Sequence, residues 1–116
     1  MESDNWKEKG NDMKYYKYLY TDESIKSVSV IKTQIILGKV PSLNQVIVLA
    51  ENSDQLEIIE AVFLRQKYYK RKDLLVVGVT KSRQGAMELV EKILQDTIRE
   101  TGGYDMKSYI LKRQNE

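Results

Sequence analysis

VIVLA at Val46–Ala50 and LLVVGV at Leu74–Val79 decide the fold. Each is an unbroken apolar run of strand length, the pattern of a strand covered on both faces, as in the parallel sheets of α/β proteins. Between them, Asp54 and Glu57 have the spacing of a capping box and predict a helix start. Leu56, Ile59 and Phe63 form the inner stripe of that helix, and Ile58, Val62 and Leu64 widen it beyond what one sheet face covers. After the second run, Ser82 caps a third helix, whose Ala86, Leu89, Val90, Ile93, Leu94 and Ile98 face inward. Thr101-Gly102-Gly103 ends it, because glycine takes left-handed backbone without a Cβ penalty.

Upstream, YYKYLY at Tyr15–Tyr20 predicts an aromatic strand, with Tyr16, Tyr18 and Tyr20 on one face and Tyr15 and Leu19 on the other. Thr21 then caps a helix, and Asp22 and Glu23 suit the positive end of its dipole. Across 24–37, Ile25, Val28, Ile31 and Ile35 fall at helical spacing, although β-branched residues compete for a strand. A helix is favoured because a parallel neighbour needs a crossover. Gly38 and Pro41 close this element. Tyr104–Leu111 alternates and reads as a fourth strand, with a short helix as the alternative. Residues 1–12 read as a disordered, polar N-terminal tail, 13–112 as one domain and 113–116 as a polar C-terminal tail; Met13 is an alternative start.

This order, βαβαβα, predicts a single-domain α/β protein: a layered α/β/α sandwich with a mostly parallel sheet of three to four strands. Right-handed crossovers would place helices on both faces. The 116 residues are 31% charged and 41% hydrophobic, with 19 Lys+Arg against 17 Asp+Glu and a net charge of +2. That balance suits a globular domain, and no stretch has the roughly 20 apolar residues of a membrane span. The expected location is cytoplasmic, without membrane contact. With no Cys and no His, the chain has no disulfide, no Cys nucleophile, no imidazole base and no zinc site of the usual kind. No phosphate-loop or dinucleotide-binding glycine motif occurs, and no metal or cofactor is implied.

In a parallel sheet, ligands bind beyond the carboxyl ends of the strands, where helix N-termini gather. Lys81, Ser82 and Arg83 bring two cations and a hydroxyl to one such N-terminus, which suits a phosphate or carboxylate. Capping by Ser82 and solvation of the two cations explain the same residues. Asp22, Glu51 and Asp54 would form an acidic rim on the same edge. The rim resembles the acidic pocket of response-regulator receiver domains in placement, with Lys81 near the position of a receiver's lysine. It departs from that pattern because VIVLA has no aspartate at its carboxyl end and the first strand lacks paired acids. A third candidate is the basic segment Arg65, Lys67, Lys70, Arg71 and Lys72, interleaved with Tyr68 and Tyr69, which could meet nucleic acid. A net charge of only +2 argues against that partner, and cations also favour a helix C-terminus.

YYKYLY, QLEI, LLVVGVTKS followed by AMELVEKI, and TGGYDMKSYI together resemble a family of small bacterial proteins of unassigned function. The similarity runs from about Met13 to about Ile110. It implies a stand-alone bacterial domain and carries no catalytic residue. The residues themselves favour a non-enzymatic interaction or regulatory module that self-associates as a homodimer through aromatic or apolar surface. A small-molecule or phosphate-binding domain, with enzymatic chemistry an option, is the alternative.

Overall fold

The two apolar runs are neighbours in the sheet, but they run in opposite directions. The computed structural model describes residues 14–37, 44–50, 52–65 and 74–116. Four strands, β1 (Lys14–Thr21), β2 (Gln45–Ala50), β3 (Leu56–Glu60) and β4 (Leu74–Thr80), form one sheet in the order β1-β4-β2-β3. Three helices, α1 (Val28–Leu37), α2 (Arg83–Thr101) and α3 (Met106–Gln114), and a 3-10 turn (Ala61–Arg65) complete the described elements. β1 pairs with β4 in parallel, whereas β2 is antiparallel to both β4 and β3. The protein is thus a mixed α/β fold with a mixed sheet, not the mostly parallel one expected. Every residue of β2 and β4 is buried, and burial on both faces produces continuous apolar runs whatever the strand direction.

The helix expected from Asp54 is instead β3 followed by the 3-10 turn. The Ser53 N–H donates to the Ala50 carbonyl at 3.1 Å, and the Ser53 hydroxyl accepts from the Gln55 N–H at 3.1 Å. This tight turn reverses the chain, and LEIIE then pairs along β2 with Ile58 opposite Ile47. Ladder bonds and cross-strand isoleucine contacts favour the strand over the local capping signal, and a hairpin needs no crossover. Asp54 is 98% exposed in the turn.

The helix expected across 24–37 forms over Val28–Leu37, while Thr21 ends β1. Tyr104–Leu111 is no strand. Asp105 caps α3, its carboxylate accepting from the Ser108 N–H at 3.1 Å and the Ser108 hydroxyl at 2.7 Å. This helix runs on through Gln114, into residues read as a polar tail. Ser82 caps α2 by accepting from the Gly85 N–H at 2.9 Å, and Gly102 ends it with φ 78°. Ala86, Leu89 and Ile93 are buried on its inner side, whereas Ile98, expected inward, is 40% exposed.

Apolar side chains form two clusters, drawn from alternate strand positions as the pleat requires. One joins Ile47, Leu49, Leu75 and Val77 to Tyr16, Tyr20, α2 and α3. The other joins Val46, Val48, Leu74 and Val76 to Ile31 and Ile35 of α1 and Leu64 of the 3-10 turn. β1 is an edge strand with an irregular register: Tyr15 lies opposite Val76 and Tyr20 opposite Gly78, so five steps of β1 match two of β4. Its aromatic face, expected as a surface for self-association, is occupied. Tyr16 and Tyr20 are buried with their rings stacked at 6.2 Å. Tyr18 is 42% exposed, with the Arg113 guanidinium 3.9 Å from its ring centroid.

The Tyr20 hydroxyl donates to Asp96 Oδ2 at 2.6 Å, tying β1 to α2. Burial and the Asp96 hydrogen bond push the Tyr20 phenol up, so it stays protonated. Burial alone would raise Asp96, but the Tyr20 bond and the nearby Lys92 and Arg99 charges outweigh it and hold the carboxyl below its ordinary range. Replacing Tyr20 by Phe should cost about 1.5–3 kcal/mol in urea unfolding near neutral pH, since the lost bond has a charged acceptor. Because the folded carboxyl titrates lower than the unfolded one, its contribution is present above the ordinary carboxylate pKa and fades as pH falls through the folded value. The difference between wild type and Tyr20→Phe should therefore shrink on acidification.

Candidate functional site

Parallel pairing of β1 with β4 brings Asp22 to the loop that starts α2. Asp22 Oδ2 accepts from the Thr80 hydroxyl at 2.6 Å, while Oδ1 accepts from the Ser24 N–H at 3.0 Å and from the Ser24 hydroxyl. The Ser24 hydroxyl lies 3.3 Å from that of Thr80 and accepts from the Lys81 N–H at 3.2 Å. Thr80 is fully buried, and Gly85 faces it from the first turn of α2. A Cβ on Gly85 would stand 2.5 Å from Thr80 Oγ1, 2.7 Å from Asp22 Oδ2 and 3.0 Å from Ser82 Oγ. Only glycine permits this approach.

The geometry makes Asp22 a latch between the ends of β1 and β4. Burial would raise its carboxyl, but hydrogen bonds from Ser24 and Thr80 prevail and keep it below the ordinary carboxylate range. An ionised Asp22 beside the first turn of α2 supplies the negative charge that the helix N-terminus favours. It also repels the anion that Lys81, Ser82 and Arg83 were expected to bind. The Lys81, Ser82 and Arg83 side chains are exposed, and the Ser82 hydroxyl is engaged as the cap.

The acidic rim does not assemble. Gln45 pairs with Thr80 and Ala50 with Leu74, so the turn carrying Asp54 lies a strand length from Asp22, roughly 20 Å at the usual rise per residue. Asp54, fully at the surface, instead lies 4.0 Å from the ammonium of the half-buried Lys107, a loose pair of small consequence. Glu51 lies outside the described residues. So do Lys67, Lys70, Arg71 and Lys72; Arg65 ends the 3-10 turn, with its side chain outside them. No group of three or more Asp and Glu that could hold a metal ion occurs among the described residues, and no described helix is long and apolar enough to cross a membrane. The same end of the sheet as Asp54 has a cavity of about 380 Å³, lined by Leu49, Leu74, Leu75 and Leu111 with Lys14 and Lys107.

A different surface stands out on α1. In a chain that is 31% charged, the ten residues of α1 include one charge, Lys32. Its ammonium sits 4.6 Å from the centroid of the Tyr15 ring. Val30 is 52% exposed on α1, and Val62 and Phe63 are 39% and 37% exposed on the 3-10 turn, which packs beside it. Val62 stands out in the sequence as well, but on a helix that does not form. Ser24 and Thr80 carry no mark in the sequence, whereas Gly85 does: a glycine inside a helix costs about 1 kcal/mol relative to Ala without a packing reason.

Comparison with family models, with curated proteins and with solved structures finds no match to this chain. Two substitutions test the latch. Gly85→Ala should lower stability by about 1–3 kcal/mol through overpacking, despite the better helix propensity of Ala. Asp22→Asn should flatten the acid limb of stability against pH: the depressed carboxyl contributes above its unfolded pKa, and that contribution disappears as pH falls through the folded one. Chemical denaturation across acidic and neutral pH reads both effects.

Proposed function

We propose that this protein is a non-enzymatic binding module that self-associates, with a second copy of the chain as its partner. The observation that carries the reading is partly exposed apolar surface at Val30 on the charge-poor α1 and at Val62 and Phe63 on the 3-10 turn that packs beside it. Protein interfaces are depleted in charge at their centres, and a two-fold contact sets the same patch against itself. Val30, Val62 and Phe63 are uncharged, so they can meet their own copies without like charges facing one another. The one lysine of α1 is turned onto Tyr15 and need not be desolvated.

This reading assumes a layered arrangement, with α1 over one sheet face and α2 and α3 over the other. The division of apolar side chains into two clusters supports it. The α1 surface replaces the aromatic face of β1 as the proposed contact, since α2 and α3 residues occupy that face. The anion-binding alternative at Lys81, Ser82 and Arg83 is disfavoured by the ionised Asp22 beside the same helix turn.

Light scattering over a concentration series should give the mass of a dimer. Val30→Glu, an exposed helical position taking a good helix former, should weaken that dimer by about 10–100-fold, because two carboxylates would be desolvated side by side. Val30→Ala should leave it within a few fold. A monomer at every concentration, or a dimer indifferent to Val30→Glu, overturns the proposal. Phosphorylated metabolites should leave the melting temperature unchanged; a rise with one of them would favour the anion site instead.

A further inference from the structure

An edge strand offers backbone N–H and C=O groups with which another strand can pair. β1 is such an edge, pairing with β4 alone among the described residues, and a side chain of α3 bonds to its backbone. The Gln114 carboxamide oxygen accepts from the Lys17 N–H at 2.7 Å, and its NH₂ group donates to the Tyr15 carbonyl at 3.2 Å. These two backbone groups flank Tyr16. A residue on a parallel neighbouring strand would bond to the same two, one on each side of the residue it faces. Gln114 thus fills one rung of a ladder that has no strand on that side among the described residues. A carboxamide suits the task because it carries a donor and an acceptor in one plane. The Lys17 ammonium also donates to the Glu116 carbonyl at 2.6 Å.

Among the described strand residues, the far edge of the sheet carries the opposite charge. β3 carries Glu57 and Glu60, whereas β1 carries Lys14 and Lys17, both exposed. A second copy's β3 is therefore the complementary strand for the outer side of β1. Such a pairing joins one edge to a different edge. Each added copy would present a fresh β1 or β3, so assembly would continue without closing.

We propose that Gln114 is a strand-mimicking guard that closes the β1 edge to β3 of a second copy. This surface is distinct from the α1 contact proposed above, and the guard acts whether or not that contact forms. Wild type, Gln114→Ala and Gln114→Ala combined with Glu57→Lys and Glu60→Lys can be compared by light scattering and by amide exchange. In Gln114→Ala the Lys17 amide should exchange about tenfold faster, the effect of one net hydrogen bond, and the average mass should climb with concentration beyond that of wild type. In the combined variant the amide should remain fast while the mass returns to the wild-type value. Gln114→Glu keeps the acceptor for Lys17 and loses the donor to Tyr15, so it supplies a milder opening if Gln114→Ala unfolds. It should give a smaller rise in mass. The proposal is overturned if the folded variants match wild type in mass at every concentration, or if the combined variant assembles as far as Gln114→Ala. Failure of wild type to dimerise would sink the α1 reading alone.

Discussion

The antiparallel pairing of β2 with β4 is the constraint on which everything else rests. With Gln45 opposite Thr80 and Ala50 opposite Leu74, the loops after the two strands lie at opposite ends of the sheet. The β2–β3 hairpin turn then sits beside the start of β4, and the N-terminus of α2 sits with the end of β1. A parallel arrangement would have gathered Asp22, Asp54 and Lys81 on one rim. The observed one divides them and leaves Asp22 to bind the protein's own hydroxyls. Direction of pairing, a property of no single residue, thus decides which side chains meet.

Much of the element pattern was legible because it rests on local chemistry. The 3.6-residue spacing of Ala86, Leu89 and Ile93, the Ser82 cap and the Gly102 stop define α2 almost to the residue. The aromatic β1 strand and the apolar β2 and β4 strands follow in the same way from composition and length. LEIIE reads as a helix because Asp54 and Glu57 match a capping box, although Ile58 and Ile59 favour a strand, and only pairing with β2 settles the conflict. Strand direction was illegible for a related reason: full burial on both faces erases the alternation that marks a half-exposed antiparallel strand.

The candidate site was legible in part. Ser82 is legible as a helix start and caps α2, whereas Asp22 lies after β1 as expected but not at the start of the following helix, which begins at Val28. The partners of Asp22 are not legible, because Ser24 and Thr80 become neighbours only through the parallel β1–β4 pairing, across 56 positions of sequence. Gly85 carried a signal that went unused. Gln114 carries none, since a carboxamide in a segment that reads as a polar tail looks like solvated surface until the strand it meets is known.

What gives Gln114 its reach is a chain of contacts that begins in the core. Tyr20 bonds to Asp96 and fixes α2 against β1. Tyr109 and Ile110 of α3 are buried in the same cluster as Tyr16 and Tyr20. One turn further on, the Arg113 guanidinium lies over the Tyr18 ring and donates to the Tyr109 hydroxyl at 3.2 Å. α3 is therefore held at its cap by Asp105, along its length by buried side chains and near its end by Arg113. A glutamine on a fraying helix would lose much of its bonding free energy to rotamer and backbone entropy. Here those degrees of freedom are already restricted by contacts that stabilise the core, so two hydrogen bonds of ordinary length are enough to hold the amide against β1.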